Sequence, residues 1–117
     1  MSELLMNYLA CWNETDAVAR RALIDRHWAE QATYVDPMAD VAGRDAVSAT
    51  IGAVQDQFPN SVFMLVGGVD AHHNQVRFQW GLGPVGAEPV VIGFDVVVTG
   101  EDGRIESVHG FLDRVPG

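Results

Sequence analysis

Cysteine, positive charge and long apolar runs are all scarce in this sequence. The single cysteine, Cys11, cannot form a disulfide within the chain, and a reducing compartment is its simplest setting. The sequence has seven basic and 16 acidic residues. The resulting net charge of −9 argues against binding to nucleic acids or anionic membranes, because both attract clustered Lys and Arg. The apolar runs are far shorter than the roughly 20 residues of a membrane helix. These absences predict a protein without nucleic-acid or membrane partners.

The remaining composition is that of an ordinary globular protein. The chain has 117 residues, of which 48% are apolar and 20% are charged. This length and balance predict one domain, spanning residues 1–117, with a single hydrophobic core. The first twelve residues, MSELLMNYLACW, have no basic flank and already carry an acid, so they do not resemble a signal peptide. A cytoplasmic location is therefore expected.

The first half of the chain has the periodicity of helices. Apolar residues recur at helical spacing over 5–12 and over 47–58. Thr15 is placed to cap a further helix that runs to about residue 28. Between the second and third helices, a short β-prone segment at 32–35 predicts a strand.

The second half of the chain has the sequence pattern of four long strands. They are predicted over 62–69, 76–82, 90–98 and 104–112, with turn-forming residues between them. Helices followed by consecutive antiparallel strands predict an α+β fold, in which the helices pack on one face of a curved sheet.

The segment ATYVDP, residues 32–37, ends a strand on a carboxylate that is followed by proline. An Asp before Pro commonly opens a surface turn. Asp36 could equally be a base at the mouth of a pocket. The residues alone leave both interpretations open.

Tyr8 and Asp95 are polar groups at positions where an apolar core does not need them. Tyr8 lies on the apolar stripe of the first helix, where its hydroxyl requires a partner. Asp95 interrupts the most apolar strand, so burial should raise the pKa of its carboxyl and favour the neutral form. The structural alternatives are a core tyrosine with one hydrogen bond, and an ion pair of Asp95 with Arg44, Arg77 or His109.

The chain resembles the nuclear transport factor 2-like superfamily, which includes ketosteroid isomerases and SnoaL-like polyketide cyclases. Four segments carry the resemblance: YLACWNETD (8–16), ATYVDP (32–37), GRDAV (43–47) and GFDVVVTGEDGRIESVHGFLD (93–113). The overall pattern is most similar to SnoaL-like bacterial proteins. The resemblance implies a cone-shaped α+β barrel, with three N-terminal helices packed on a curved, mainly antiparallel sheet. It also implies a deep pocket for an apolar small-molecule ligand, usually in a homodimer.

The ketosteroid isomerase pattern matches at the three polar positions. Its helix-one tyrosine falls on Tyr8, its Asp-Pro general base on Asp36 and its oxyanion-hole acid on Asp95. The resemblance implies that Asp36 moves a proton beside a carbonyl group. The Tyr8 hydroxyl and a neutral Asp95 carboxyl would then both donate to the enolate oxygen. Such an enzyme uses no cofactor and no metal.

Two other branches of the superfamily use a residue on the last strand. Epoxide-hydrolase-like members combine an Arg-x-Asp pair with a last-strand acid, and the matching positions here are Arg77-Phe78-Gln79 and Gly110. Both acids are missing, so epoxide hydrolysis is not expected. Polyketide cyclases place a base near Gly110, where only His109 or Asp113 is available. His109 is the alternative base, because its ordinary pKa suits proton transfer near neutral pH.

The final hairpin decides which face His109 occupies. A two-residue turn within GEDG would pair Asp95 with Val108, and a three-residue bulged turn would pair it with His109. The His72-His73 pair is expected to be a solvated turn, because no third metal ligand lies near it in sequence. The pocket wall is expected from aromatic and apolar residues of several elements: Trp12, Trp28, Tyr34, Phe63, Trp80, Phe94 and Leu112.

Two functions remain open at this point. The first is a cofactor-independent enzyme that isomerises or cyclises an apolar carbonyl compound by proton transfer through an enolate. The second is a non-catalytic ligand-binding or dimeric accessory module that uses the same pocket. The state of Asp95 separates them, because an enzyme needs it beside Tyr8 at an open cavity with a raised pKa.

Overall fold

Three helices form one layer of the fold in the computed structural model, which describes residues 2–116. They are α1 (Ser2–Asn13), α2 (Ala17–His27) and α3 (Arg44–Gln57). All three were predicted, but the cap of α2 is Asp16 and not Thr15. The Asp16 carboxylate accepts a hydrogen bond from the Ala19 backbone N–H at 2.9 Å. Every helix in the described part of the chain is too short or too polar to cross a bilayer.

Six strands form one curved sheet. They are β1 (Trp28–Asp36), β2 (Ala39–Ala42), β3 (Ser61–His72), β4 (Gln75–Pro84), β5 (Val91–Thr99) and β6 (Ile105–Arg114). Their order across the sheet is β2-β1-β6-β5-β4-β3. Every pairing is antiparallel except that between β1 and β6, which is parallel. The mainly antiparallel α+β architecture is therefore as predicted.

The sheet differs from the prediction at its start. β1 begins at Trp28, immediately after α2, and is longer than the predicted 32–35 segment. β2 was not predicted, because the residues around Pro37 favour a turn and gave no indication of the short strand that follows it. β2 folds back on β1 with Asp36 opposite Ala39. This tight reversal fixes the end of β1, where Asp36 lies.

The final hairpin also differs from both predicted registers. Asp95 pairs with Gly110, neither with Val108 nor with His109. Thr99 pairs with Ile105, so the connection is longer than the predicted turns, and the register then shifts beyond this pair. The shift is a bulge, which adds a residue to one strand and moves all later pairs. The inward position opposite Asp95 is consequently a glycine.

The core lies between the helices and one face of the sheet. Along β5 the residues alternate, and Val91, Gly93, Asp95, Val97 and Thr99 are the buried set. This alternation is the period-two pattern of a strand with one face in the core. Asp95 is therefore held on the inner face by its apolar neighbours.

Candidate functional site

A cavity of about 390 Å³ lies between the helices and the inner face of the sheet. This volume falls within the range of small-molecule sites. Six aromatic residues line it: Tyr8, Trp12, Tyr34, Phe58, Phe63 and Trp80. Among the described residues, Asp36 and Asp95 are the only lining side chains that can carry a charge near neutral pH. The cavity is therefore apolar, aromatic and acidic.

Tyr8 and Asp95 form one hydrogen-bonded pair in the wall of the cavity. The Tyr8 hydroxyl of α1 donates to Asp95 Oδ2 of β5 at 2.7 Å. Both side chains are buried, with exposures of 1% and 3%. The partner of Asp95 is thus a neutral hydroxyl, whereas an ion pair had been an alternative. Arg44 instead binds the Trp28 carbonyl, and Arg77 pairs with Asp70.

Burial raises the pKa of the Asp95 carboxyl from 3.8 to about 6. The Tyr8 hydroxyl and the Trp80 indole oppose this rise, and the charge of Asp36 adds to it. The Trp80 effect does not come from a regular hydrogen bond, because neither its indole N–H nor Asp95 Oδ1 has a hydrogen-bond partner. Asp95 is therefore mostly ionised above pH 7 and mostly neutral below pH 5. Burial and Asp95 also raise the pKa of Tyr8 well above its usual value, so Tyr8 remains a donor.

This arrangement differs from the two parallel donors that the resemblance implied. The Tyr8 proton points to Asp95 Oδ2 and is not free for a ligand. A proton on Asp95 would lie on Oδ1, which has no partner. The two residues consequently form a series, in which Tyr8 donates to Asp95 and only a neutral Asp95 carboxyl has a proton left to donate beyond the pair.

Asp36 and Tyr34 form a second pair at the end of β1. The Tyr34 hydroxyl donates to Asp36 Oδ2 at 2.6 Å. The backbone N–H groups of Met38 and Ala39 both donate to Asp36 Oδ1 at 2.8 Å. Asp36 therefore opens the turn into β2 and also lines the cavity, so the two interpretations of ATYVDP are compatible. One lone pair of Oδ2 stays available for a ligand proton.

Gly110 of β6 lies between the two acids. It pairs with Asp95, and its neighbour His109 pairs with Val35, which precedes Asp36. A Cβ atom on Gly110 would lie 2.7 Å from Asp95 Oδ1 and 3.3 Å from Asp36 Cβ. The missing side chain therefore leaves room for the Asp95 carboxyl to lean over β6 toward Asp36. The Cα atoms of the two acids are separated by about two strand spacings, or about 10 Å.

A second glycine makes room for a large inward-pointing side chain one strand away. Trp80 of β4 pairs with Gly93 of β5, and a Cβ atom on Gly93 would overlap the Trp80 ring. The indole therefore lies flat across β5, beside Asp95. Glycines on adjacent strands make room for both inward-pointing side chains.

Three residues expected at the site lie elsewhere. Trp28 is fully buried behind the cavity wall and stacks on Tyr8, with ring centroids 5.9 Å apart. Phe94 points to the outer face, because it adjoins the inward Asp95 on the same strand. His109 is exposed on that outer face and pairs with Val96, so it cannot act as the base in this cavity. The other expected wall residues, Trp12, Tyr34, Phe63, Trp80 and Leu112, line the cavity.

The sequence reasoning missed the contribution of α3. Thr50, Ala53, Val54 and Gln57 line the cavity from this helix. Their spacing is that of one helical face, which was visible in the sequence. The apolar stripe over 47–58 predicts the helix, and two of its members, Val54 and Phe58, also line the cavity. The cavity mouth is formed partly by Met38, which is 79% exposed.

The fold and part of the sequence match known protein structures. A candidate isomerase of the SnoaL-like family from Agrobacterium tumefaciens is 41% identical, with a TM-score of 0.89, and the alignment covers 95% of each chain. A SnoaL-like polyketide cyclase candidate from Jannaschia is 15% identical, with a TM-score of 0.72 over 96% of this chain and 86% of that one. A Catenulispora acidiphila protein with a ketosteroid isomerase-like fold, solved in complex with trimethylamine, is 21% identical, with a TM-score of 0.72 over 92% and 83% of the two chains. The last two likenesses show the fold alone.

No curated protein sequence matches the chain. The SnoaL-like domain family matches residues 5–108, which is most of the sequence. Together with the Agrobacterium structure, this match shows that the chain belongs to the SnoaL-like family, within the nuclear transport factor 2-like fold.

Proposed function

We propose that the chain is a cytoplasmic, cofactor-independent enzyme that moves a proton beside the carbonyl group of an apolar small molecule. The observation that carries the proposal is the pair of Tyr–Asp units that meet across Gly110 in one apolar cavity. Two carboxyls in different environments can divide the roles of acid and base between them. The reaction class is isomerisation or cyclisation through an enolate.

Asp36 is the base in this proposal. Its Oδ1 is occupied by two backbone N–H groups, and its Oδ2 accepts from Tyr34, so the carboxylate is held in one orientation. The remaining lone pair of Oδ2 takes the proton from the carbon next to the substrate carbonyl. The electron pair of the broken C–H bond forms the enolate, and Asp36 returns the proton to the substrate. The enzyme ends the cycle unchanged.

Asp95 is the acid that stabilises the enolate oxygen. In its neutral form it donates from Oδ1, while Tyr8 donates to Oδ2 and limits the charge that develops on the carboxyl. A donor of this kind in a water-poor cavity contributes most when negative charge develops on the substrate oxygen. Because the pKa of Asp95 is about 6, the donor form declines as the pH rises from 5 to 7.5. We expect activity to decline with it.

The test is a titration with an equilenin-like phenol, whose ionised form mimics an enolate and whose fluorescence reports its ionisation. We expect the wild-type chain to bind the phenol, and Asp95→Asn to weaken binding by about 100-fold, the scale of one lost oxyanion donor. Asp36→Asn is the matched control, because it removes the base and leaves the oxygen site. Equal binding by wild type and Asp95→Asn would overturn the assignment of the acid.

A non-catalytic binding module is the alternative, and the phenol does not exclude it. Deuterium exchange at the carbon beside the carbonyl of a bound cyclic enone, followed by NMR, separates the two. An enzyme catalyses the exchange, and Asp36→Asn abolishes it. Binding without any catalysed exchange would favour the module.

We also propose that the chain forms a homodimer through the outer face of its sheet. Apolar side chains lie on this face at positions where solvent-facing strands usually carry polar residues. Phe94 and Phe111 pair across β5 and β6, and Phe111 is 59% exposed. Val35, on the same face of β1, is also exposed. Exposed apolar side chains grouped on one face of a sheet are typical of a protein interface.

A further inference from the structure

We infer that the cavity also binds small organic cations of the alkylammonium class, held between its aromatic wall and its two carboxylates. The inference rests on the charge and the lining of the cavity. It does not depend on the proposed proton transfer, and it adds a second class of ligand to the same space.

The negative charge of the cavity has no positive partner among the described residues. Asp36 and Asp95 line it together, and no Arg or His does. The buried Arg20 and half-buried Arg44 of the helical layer are engaged elsewhere: Arg44 binds the Trp28 carbonyl, and Arg20 binds Gln55. Charges in protein interiors are normally paired, and low-dielectric walls strengthen the field of an unpaired one. A cationic ligand would supply the missing partner.

The wall of the cavity suits a cation that carries methyl groups. Trp12 contacts Tyr34 and Phe63 with ring centroids 5.6 and 5.0 Å apart, and Phe63 contacts Trp80 at 5.6 Å. These four rings form a continuous aromatic wall beside the acids. Aromatic faces attract quaternary ammonium groups through their π electrons, and the methyl groups of such ligands also favour apolar contact.

The hydrogen bonds of the acids point to the same ligand class. Tyr8 supplies the hydrogen bond to Asp95, and Tyr34 with two backbone N–H groups supplies those to Asp36. Three of the four carboxylate oxygen positions therefore already accept hydrogen bonds, and Asp95 Oδ1 is the one without a partner. A quaternary ammonium donates no hydrogen bond of the N–H type and needs only charge and apolar contact.

Protonation of Asp95 should select between the two ligand classes. A carbonyl compound requires neutral Asp95 as a donor, whereas an organic cation requires the ionised form. The titratable groups that act on Asp95 are Tyr8 from α1 and Asp36 and Tyr34 from β1. Burial raises the pKa of both tyrosines, so they stay neutral. Cation affinity should therefore rise with pH through about 6, while phenol affinity falls.

The experiment compares three compounds of nearly equal shape: choline, its neutral isostere 3,3-dimethylbutan-1-ol, and the anion 3,3-dimethylbutanoate. Binding is measured by calorimetry and by tryptophan fluorescence, at pH 5 and pH 7.5. At pH 7.5 we expect choline to bind at least about 10-fold more tightly than the neutral isostere, and the anion to bind most weakly. The preference for choline should shrink at pH 5. Equal or tighter binding of the neutral compound at both pH values, or no binding of choline, would overturn the inference.

Variants that each remove one carboxylate charge test whether choline binds at the two acids of the cavity. Asp36→Asn and Asp95→Asn should each weaken choline binding by about 10-fold and change binding of the neutral isostere little. Asp56→Asn is the matched control, because it removes the same charge from an exposed position of α3. An equal loss in Asp56→Asn would show that only the net charge of the chain matters, and would contradict a cation site in the cavity.

The two proposals can fail separately. Phenol binding without choline binding removes the cation site and leaves the proposed enzyme. Choline binding without phenol binding or deuterium exchange supports the cation site and removes the enzyme.

Discussion

Asp95 is a buried acid whose ionisation opposes folding. Because its pKa rises from 3.8 in the unfolded chain to about 6 in the fold, the folded state binds the proton more tightly. Its contribution to stability is therefore fully present below pH 3.8 and is lost as the pH rises through 6. The difference of about 2 pKa units corresponds to at most about 3 kcal/mol.

We expect Asp95→Asn to remove this pH dependence, because the amide stays neutral and its oxygen can still accept from Tyr8. In urea unfolding, the variant should gain about 1–3 kcal/mol relative to wild type between pH 4 and pH 7.5. Asp56→Asn, on the surface of α3, should follow the wild-type curve. Parallel curves for wild type and Asp95→Asn would contradict the buried, raised-pKa state of Asp95.

Tyr34 orients Asp36, the proposed base, through its hydroxyl, which donates to Asp36 Oδ2. Tyr34→Phe keeps the ring that packs on Trp12 and removes only this hydrogen bond. We expect the variant to lose about 1–2 kcal/mol of stability and to slow catalysed deuterium exchange about 10-fold, because Asp36 loses one fixed orientation. Enone affinity should change little. An unchanged exchange rate would show that the backbone N–H groups alone hold Asp36.

At the level of whole strands, β4, β5 and β6 fit together because glycines lie opposite large inward side chains. Gly93→Ala would drive a methyl group into the Trp80 ring, and we expect a loss of about 2–3 kcal/mol in unfolding experiments. Gly68→Ala, also on the sheet, is the control, since a Cβ atom there meets nothing within 4 Å. Similar stabilities for the two variants would mean that Trp80 can move aside without loss.

The helices and most strands could be predicted because each depends on a local pattern. The periodicity of apolar residues indicates α1 and α3, a capping signal indicates α2, and alternation indicates β4. β2 could not be predicted, since its four residues gain stability only from pairing with β1. The register of the final hairpin was missed for a similar reason: a bulge depends on how β5 and β6 pack, and the turn residues do not encode it.

The candidate site could also be predicted in part from the sequence. Residue type and position singled out Tyr8, Asp36 and Asp95, because Tyr8 and Asp95 are polar in apolar elements and Asp36 ends a strand before a proline. The partner of each acid could not be predicted, since it depends on which side chains meet in space. Phe94 is different: it adjoins Asp95 on one strand, and alternation already predicted that the two point to opposite faces.

For the whole molecule, the outer face of the sheet predicts a dimer. Phe111→Glu would place a charge beside Phe94 on this face, and we expect light scattering to show a dimer for wild type and a monomer for the variant. Val18→Glu is the control, because Val18 is 81% exposed on α2, away from the sheet. A monomeric wild type, or a dimeric Phe111→Glu, would exclude this interface.

The position of β6 in the sheet determines the order in which the strands can pair during folding. β6 is the last described strand along the chain, yet it lies between β1 and β5 in the sheet. Until β6 is synthesised, β1 with β2 and the β3–β5 meander have no strand pairing with each other, and each group has an open edge. The final strand joins them by long-range pairing, which is the slow kind of contact in folding. Asp36 and Asp95 therefore meet only once β6 has paired with both sheets, and a ribosome-bound chain that has not yet released β6 lacks the proposed ligand site.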